Sequence, residues 1–385
     1  MSQKTLFRTT GRIVMGAGTL NSIVDEIKQL GGIKPIIVTD PGLVSTGIID
    51  RLEQLVAQGG LSFVRFDQVE ADPRFELVDQ VVSLVQSEQA DCVIGIGGGS
   101  SLDIAKVVSV MVTNPGKVED YFGIDLIKMP GVPLILIPTT AGTGSEVTPI
   151  VILSDHQEKL KKGVVSAHLF PGTALLDPEL TVGLPPAVTA ATGMDALIHA
   201  MEAYTSINAN SMTDMLAVRA MQLIFDNIRT AYANGSDIMA REKMLEGSML
   251  AGMAFANAGV TAVHAFAYPI GAEFHIPHGI ANTIMLPPVM AFNLIGNLEK
   301  FADIARIFGE DGEGMSVRKL AERGLSAVHE LAADLNVPQR LSGYGVEEKD
   351  VPALAQGVMK VTRLLANNPR TLRLADAEAI YRQVL

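Results

Sequence analysis

The chain has 385 residues, 48% of them hydrophobic, which favours two buried cores over a single typical domain. Its formal net charge is −12 without a long basic run, so nucleic acid and anionic membranes are disfavoured as partners and small metabolites remain. Cys92 is the only cysteine, which rules out an intrachain disulfide and fits a reducing, cytoplasmic environment.

Short apolar or β-branched runs alternate with amphipathic helical patterns in the first half of the chain. The runs predict strands at residues 35–39, 61–66, 91–96, 132–137 and 172–176. The first helical patterns between them cover residues 48–58 and 74–86. This alternation is typical of a parallel sheet covered by helices on both faces, so we predict an α/β domain.

Helical periodicity dominates after the Leu-Pro-Pro sequence at residues 184–186. Predicted helices cover residues 190–204, 211–234, 238–255, 280–294, 298–308, 316–335, 347–361 and 376–384. The change of pattern places a domain boundary near residue 183. We therefore expect an α/β domain over residues 1–182 and an all-helical domain over residues 183–385.

Residues 247–272 carry no formal charge and are numerous enough to span a bilayer. The segment is mostly Gly, Ala and Met and contains Asn257, His264 and Pro269, so its transfer into lipid would be poor. We predict two buried helices with a break near residues 257–259. A histidine buried in such a place is costly unless it has a partner, which favours a ligand role for His264.

Asp195 and His199 are the strongest candidates for a metal site. They stand four residues apart in a predicted helix, so both side chains project from one face. His264 and His278 follow in a nearly uncharged region and could complete the ligand set, with His275 as a competitor three residues from His278. One oxygen and three nitrogens suit Fe(II), Zn(II), Ni(II) or Mn(II) rather than calcium.

Glycine-rich turns precede predicted helices at two places. Residues 97–106 form a glycine turn that opens a helix, where backbone N–H groups and the helix dipole favour a pyrophosphate. Taken alone, this cluster predicts a tight turn equally well. Gly16 and Gly18 are predicted to form only a turn, with Thr19 or Asn21 capping the helix that follows.

Asp40 ends a predicted strand, where a carboxylate can accept both ribose hydroxyls of an adenosine and repel a 2′-phosphate. Without other indications it would be interpreted as a turn residue in Asp-Pro-Gly. Residues 134–146 again lead from an apolar strand into a loop rich in hydroxyls and glycine. Three such loops at strand ends indicate one extended ligand that crosses the sheet edge.

Four motifs occur together and in order, at residues 97–106, 138–146, 192–199 and 274–279. With them the chain resembles the iron-containing (group III) alcohol dehydrogenases over nearly its whole length. Residues 177–181, 184–186 and 251–255 extend the likeness. The resemblance implies an N-terminal nucleotide-binding α/β domain, a C-terminal all-helical domain and an active site in the cleft between them.

The same resemblance implies the ligands, the cofactor and the substrate class. Asp195, His199, His264 and His278 would bind the metal, usually Fe(II) and in relatives Zn(II) or Ni(II), while His275 would face the substrate or support a ligand. NAD would be the cofactor and a small alcohol or aldehyde the substrate, in a homodimer or larger homo-oligomer. The implied cofactor-binding residues are Asp40, Gly97, Gly98, Gly99, Ser100, Asp103, Thr139, Thr140, Thr143, Ser145 and Lys162.

Tyr268 departs from the family pattern. Many members have a second histidine one helical turn after the ligand, and this chain has Tyr268 at that place. A phenol titrates far above an imidazole and is a poorer proton shuttle at neutral pH. The departure leaves metal binding untouched and affects the proton route and the shape of the substrate pocket.

For three other side chains in this half of the chain, the sequence allows both a role in the site and an ordinary structural role. Phe255 and Phe266 are candidates for the apolar wall beside the reacting carbon, although a helical phenylalanine is more often core. Glu202 lies seven residues after Asp195 and could orient a ligand histidine. Exposure to solvent is the ordinary expectation for a single helical glutamate.

Three competing functions fit the sequence less well. A lyase similar to dehydroquinate synthase would need a basic pocket for a phosphorylated substrate, which the sequence between residues 183 and 278 does not offer. A zinc polyol dehydrogenase similar to glycerol dehydrogenase is nearer, but its usual ligand set is smaller. A metal-binding scaffold without catalysis is disfavoured by the cofactor loops.

Overall fold

The structure is a computed structural model and describes residues 5–156 and 160–385. The chain forms two compact units, Arg8–Gly183 and Leu184–Leu385, the second of which also includes residues 5–7. The predicted fold class is confirmed, with a parallel-sheet α/β unit first and a helical unit second.

The first unit contains nine strands and five α-helices among its described residues. The strands are β1 Ile13–Met15, β2 Pro35–Val38, β3 Val64–Phe66, β4 Cys92–Gly97, β5 Gly123–Ile124, β6 Leu134–Pro138, β7 Ile150–Asp155, β8 Leu160–Val165 and β9 Thr173–Leu176. The helices are α1 Ile23–Gln29, α2 Pro41–Val44, α3 Ile48–Gln58, α4 Leu77–Glu88 and α5 Gly99–Met111.

Six strands form one parallel sheet in the order β1-β9-β6-β4-β2-β3. Successive residues of β4 and β6 face opposite sides, as strand geometry requires. Val93 and Leu134 belong to one apolar core, whereas Ile94 and Ile135 belong to the other. The sheet is therefore buried on both faces, which explains its continuous apolar strands.

Two parts of the first unit differ from the sequence prediction. β1 was not predicted, because three half-buried residues are too short a run to stand out. β7 and β8 form an antiparallel pair, and β5 adds to β8 to complete a separate three-stranded sheet. The predicted strand at residues 61–66 begins only at Val64, since the N–H of Leu61 still bonds to the carbonyl of Val56 at the end of α3.

The turn at Gly16 and Gly18 is confirmed, but the predicted cap is wrong. A short 3₁₀ helix, Thr19–Ser22, follows the turn and has no side-chain cap of its own. The carboxylate of Asp177 instead accepts the N–H groups of Gly18 and Leu20, both at 3.0 Å. A residue far away in sequence thus caps this helix.

The described residues of the helical unit form ten α-helices. They are α6 Pro186–Thr205, α7 Ser211–Ala233, α8 Ile238–Ala258, α9 Ala262–Phe274, α10 His278–Asn293, α11 Leu298–Ile307, α12 Val317–Asp334, α13 Val351–Lys360, α14 Thr362–Leu365 and α15 Leu374–Arg382. α6 packs against α7, α8 and α10, and α9 packs against α10, α13 and α14. All eight helices predicted for this half are present.

The predicted break in the uncharged segment is confirmed. α8 ends at Ala258, and α9 starts at Ala262 after a bend of 103°. Gly259 has a φ of +78° at this corner, and a Cβ atom there would lie 2.3 Å from the side-chain nitrogen of Asn367. Glycine is therefore needed both for its backbone angle and for the close approach.

Two parts of the helical unit are long and apolar enough to cross a membrane by length and composition. They are His278–Gly296 and the bent pair α8 and α9. In His278–Gly296, 61% of the apolar window is buried inside the protein. Buried core helices pass the same test, so these helices are weak indicators of a membrane span.

Candidate metal centre and cofactor loops

Asp195 and His199 project from one face of α6, and α9 brings His264 beside them. One ligand-type atom of each side chain lies within 4.8 Å of those of the other two. His264 Nε2 is 3.8 Å from Asp195 Oδ1, and the rings of His199 and His264 stack with their centres 4.6 Å apart. All three side chains are buried. We call this group the Asp195–His199–His264 cluster.

His278 is the first residue of α10 and stands at the edge of this cluster. Its Nε2 is 3.9 Å from Asp195 Oδ1, and its side chain is 33% exposed. Asn282, one turn later on α10, joins the two groups through its amide nitrogen, which is 2.7 Å from Asp195 Oδ1 and 3.1 Å from His278 Nε2. The structure thus brings together all four residues that the sequence predicts as ligands.

Glu202 holds the imidazole of His264 in place. Its Oε2 is hydrogen-bonded to His264 Nδ1. Its Oε1 accepts the N–H of Thr261 at 3.0 Å, the hydroxyl of Thr261 at 2.7 Å and the N–H of Val263 at 2.8 Å. Glu202 is fully buried, so the expectation of a solvent-exposed side chain is wrong and the orienting role is supported.

The cluster fits a divalent metal ion. With Nδ1 of His264 engaged by Glu202, Nε2 faces the cluster, is buried and has no hydrogen-bond partner among the described residues. Such an atom is costly in a protein interior unless a ligand satisfies it. A carboxylate oxygen with imidazole nitrogens is a donor set suited to Fe(II), Zn(II) or Ni(II).

The electrostatics of the cluster favour a charged carboxylate. Burial alone disfavours charge on Asp195, but the surrounding histidines outweigh it and lower the pKa of this carboxyl. Burial also disfavours charge on His264, yet Glu202 and Asp195 outweigh it and raise the pKa of that imidazole. The charge of Arg363 acts in the opposite direction and lowers the pKa of His264.

The two phenylalanines proposed for the apolar wall have different positions. Phe255 on α8 stacks on His199 with a ring-centre distance of 4.4 Å, so it borders the cluster. Phe266 is fully buried against Tyr381, 5.0 Å between ring centres, and its carbonyl accepts the Tyr381 hydroxyl. Phe266 is therefore a core residue, and its assignment to the wall is wrong.

Tyr268 lies on α9 and His275 follows at its C-terminal end. Tyr268 is half-buried, and its ring centre is 6.1 Å from that of His278. His275 is exposed and ends α9 in a left-handed conformation with a φ of +53°. After His275 the chain continues to Pro277, the N-cap residue of α10, and His278 is the first residue of that helix.

The first cofactor loop lies between β4 and α5 and next to the end of β2. Gly97 has a φ of +146°, and a Cβ atom there would lie 2.8 Å from the Ser101 hydroxyl and 3.1 Å from Asp40 Oδ2. One Asp40 oxygen caps α2 by accepting the N–H of Leu43 at 3.0 Å. Asp40 thus stands at the carboxyl edge of the sheet beside the glycine turn, the place that parallel sheets use for ligands.

The loop after β6 packs directly on the glycine turn. A Cβ atom at Gly99 would lie 2.7 Å from Thr143, and one at Gly98 would lie 3.8 Å from Thr140. Thr139 is buried, and its N–H bonds to the carbonyl of Gly97 at 3.0 Å. The three predicted loops therefore meet at one sheet edge, with Ser100 in the first turn of α5.

Asp103 and Ser145 belong to a buried network rather than to the loop surface. Ser145 donates its hydroxyl to Asp103 at 2.6 Å and accepts from Lys106 at 2.8 Å, and the other Asp103 oxygen accepts the N–H of Ile152 at 2.9 Å. Burial lowers the pKa of Lys106 to about 8 and raises that of neighbouring Glu146 to about 7. Through these hydrogen bonds, Asp103 and Lys106 of α5 hold Ser145 of the loop after β6 in place.

Lys162 lies on β8 in the smaller sheet. Its ammonium is 2.7 Å from the carboxylate of Asp155 and 5.5 Å from the ring centre of Phe122. The structure places it on the antiparallel pair of β7 and β8, which sequence patterns did not predict.

Comparisons with known proteins agree with this arrangement. The family model described as iron-containing alcohol dehydrogenase matches residues 10–178, and the model for the C-terminal part of the same family matches residues 189–385. The chain belongs to the iron-containing alcohol dehydrogenase family. The chain is a metal-dependent oxidoreductase of this class, which transfers a hydride between NAD(H) and an alcohol or aldehyde. The lyase alternative is not favoured.

Individual relatives cover nearly the whole chain. It is 44% identical to a sulfoacetaldehyde reductase of Bilophila wadsworthia (94% of each chain) and 42% identical to long-chain-alcohol dehydrogenase 1 of Geobacillus thermodenitrificans (95% of this chain, 93% of the relative). A solved structure of a 1,3-propanediol oxidoreductase superposes with a TM-score of 0.97 at 39% identity, covering 100% of both chains.

Proposed function

We propose that the chain catalyses reversible reduction of a short aldehyde by NADH at a divalent metal held by Asp195, His199, His264 and His278. The observation that carries this assignment is the buried, unpartnered Nε2 of His264 inside the Asp195–His199–His264 cluster. Iron is the proposed ion, with zinc or nickel as alternatives that suit the same donors. The names of the relatives span sulfonated, long-chain and diol-type substrates, so they leave the substrate open.

The bound metal would act as a Lewis acid on the substrate oxygen and stabilise the negative charge that develops there during reduction. The chain's own residues prepare this site. Glu202 fixes the tautomer of His264, and Asn282 links Asp195 to His278. Phe255 stacks on the ring of His199 and gives the cluster an apolar border on that side.

We propose that Asp40, Gly97, Gly98, Gly99 and Ser100 bind NAD(H), with Thr139, Thr140 and Thr143 completing the contact. When bound there, NADH would supply the hydride. The glycine turn admits the pyrophosphate at the start of α5, and Asp40 prefers ribose hydroxyls to a 2′-phosphate. Asp103 and Ser145, which share a hydrogen bond of 2.6 Å, stay in the proposed cofactor-binding set, and Lys162 is proposed to lie near the nicotinamide.

One proton must reach the product oxygen during reduction. We propose that the hydroxyl of Tyr268 passes this proton, with exposed His275 as its exchange point with solvent. The support is the position of Tyr268, half-buried with its ring 6.1 Å from that of His278. Tyr268→Phe should then lower turnover while leaving metal content unchanged.

The assignment is tested by loading the protein with Fe(II) or Zn(II) and following NADH oxidation with a panel of short aldehydes. His264→Ala should lose both bound metal and turnover. Failure of the loaded wild type to oxidise NADH with every aldehyde, or full metal content and turnover in His264→Ala, would overturn the proposal.

We further propose a cytoplasmic homodimer or larger homo-oligomer. The reducing location is supported by the buried, unpaired Cys92, and the oligomer by the family resemblance. Light scattering coupled to size exclusion checks the oligomeric state, and a monomer at micromolar concentration would contradict it.

A further inference from the structure

Lys106 lies on α5, about two turns after the start of that helix, and its side chain is fully buried. Its ammonium donates to the hydroxyl of Ser145 at 2.8 Å, to the hydroxyl of Thr148 at 3.1 Å and to the carbonyl of Ile150 at 2.8 Å. A lysine ammonium has three N–H groups, so each of them has an acceptor. All three acceptors belong to the segment that leads from the loop after β6 into β7. Lys106 therefore fastens this segment to α5.

Stability alone does not account for a lysine in this place. A buried ammonium loses its hydration, and the carboxylate of Asp103 stands 3.6 Å from Lys106 Nζ, beyond hydrogen-bond distance. Replacement of buried charged groups by apolar residues of similar volume is often neutral or stabilising. A methionine would fill the same space without the cost of burying a charge. What it would lack is the ability to hold three oxygen atoms at fixed positions, so we infer that this is the contribution of Lys106.

Ser145 connects Lys106 to the glycine turn. The N–H of Ser145 donates to the hydroxyl of Thr143 at 3.3 Å. Thr143 in turn packs on the first residue of α5, because a Cβ atom at Gly99 would lie 2.7 Å from Thr143 Cγ2. A displacement of Ser145 would therefore move Thr143 relative to the turn at which the pyrophosphate is proposed to bind.

We propose that Lys106 is a positioning residue for the cofactor. It holds Ser145, and through it Thr143, against the glycine turn, and so sets the affinity of the chain for NAD(H). Lys106 acts through these residues and not on the cofactor itself. This inference rests on the proposed binding of NAD(H) to these loops, and it adds a buried residue behind them that determines how tightly the cofactor binds.

Lys106→Met removes the ammonium and keeps an unbranched side chain of similar length. NADH binding to the metal-loaded enzyme is measured by fluorescence titration, which needs no turnover. Because three hydrogen bonds from a charged donor are lost, we expect the Kd and the KM of NADH to rise about 10- to 100-fold. The kcat at saturating NADH should stay within about threefold of wild type, and bound metal should be unchanged.

Thr148→Val is the milder variant. Thr148 is buried and lies outside the proposed cofactor contacts, and valine removes one acceptor of Lys106 together with a longer bond of 3.4 Å to the Ser145 carbonyl. We expect the Kd of NADH to rise about threefold. In the Lys106→Met background the same substitution should add little, because the main bond that it removes is already lost. If Lys106→Met does not fold, Thr148→Val carries the test.

Lys34→Met is the matched control in the same unit. The ammonium of Lys34 donates to the carbonyl of Glu88 at 2.6 Å and pairs with its carboxylate at 3.1 Å. Lys34 directly precedes β2, so it lies at the amino edge of the parallel sheet, and the glycine turn lies at the carboxyl edge. The variant therefore loses a hydrogen-bonded ammonium far from the cofactor loops, and the Kd of NADH should equal that of wild type.

The possible failures are distinguishable. If the wild type binds NADH and the folded variants Lys106→Met and Thr148→Val bind it equally well, the positioning role is refuted and the proposed function stands. A fall in kcat without a change in NADH affinity also refutes the role. So does an equal weakening in Lys34→Met, which would indicate a general loss of stability. If the wild type binds no NADH, the proposed function and this inference fall together.

Discussion

Replacement of Glu202 by glutamine tests how the chain prepares its metal site. The carbonyl oxygen of the glutamine would take the place of Oε1, because the N–H groups of Thr261 and Val263 and the hydroxyl of Thr261 all require an acceptor there. The amide NH₂ would then face His264 Nδ1, which must present its lone pair. The proton of His264 would move to Nε2 and point into the Asp195–His199–His264 cluster.

Metal binding then requires His264 to return to the other tautomer and to give up its bond to residue 202. A hydrogen bond to a charged group contributes about 1.5–3 kcal/mol, so we expect metal affinity to fall roughly 10- to 100-fold. That range is also what loss of an outer partner of a ligand histidine typically causes. The fold should persist, because the three donors around Oε1 remain satisfied.

The affinity is measured by competition with a chelator of known strength, with metal content determined by mass spectrometry. Glu299→Gln is the control, since Glu299 is an exposed glutamate on α11. Thermal unfolding in excess chelator verifies that both variants fold. Wild-type metal affinity in Glu202→Gln, with the fold intact, would refute the tautomer argument.

Three further predictions concern the α/β unit. Asp40→Gly should raise kcat/KM for NADPH at least about tenfold by removing repulsion of the 2′-phosphate, and equal use of NADH and NADPH by the wild type would contradict this. Burial raises the pKa of Cys92 to about 12, so its thiol should resist Ellman's reagent at pH 8 until the protein is unfolded, and rapid labelling of native protein would contradict this. Burial raises the pKa of Glu146 from 4.5 to about 7, so the folded state keeps a proton that the unfolded chain releases, and this stabilising contribution is lost as pH rises through 7. Glutamine cannot ionise, so the free energy of unfolding of Glu146→Gln should rise relative to that of wild type as the pH is raised from 5 to 8, by at most about 3 kcal/mol. Urea unfolding at several pH values measures this difference, and a difference that does not change with pH would contradict the prediction.

The sequence correctly predicts the features that depend only on residues close together in the chain. The helix at residues 48–58 has one apolar face, and its predicted and observed bounds agree. Asp195 and His199 are neighbours on α6 because a helix places residues i and i+4 together, whatever surrounds it. The break between α8 and α9 was predictable because Gly259, which adopts a φ of +78°, lies within residues 257–259.

The features that were missed depend on contacts between distant segments. α6 is buried on nearly all sides from Gly193 to Thr205, so no polar face could show whether Glu202 meets solvent or the start of α9. Helical spacing alone places Asn282 one turn after His278, so its position beside that ligand could have been predicted. Its hydrogen bond to Asp195 could not, because that bond forms only when α6 and α10 pack together. The β7–β8 pair was missed because Lys161, Lys162 and Gly163 give β8 no apolar alternation.

All four proposed metal ligands, together with Glu202 and Asn282, come from α6, α9 and α10 of the helical unit. The glycine turn, Asp40 and the threonine loop come from the other unit. Substitutions that change the preferred ion therefore need not disturb nucleotide recognition, and substitutions that change the nucleotide need not disturb the ion. Metal choice and cofactor choice can consequently diverge independently among descendants of such a chain.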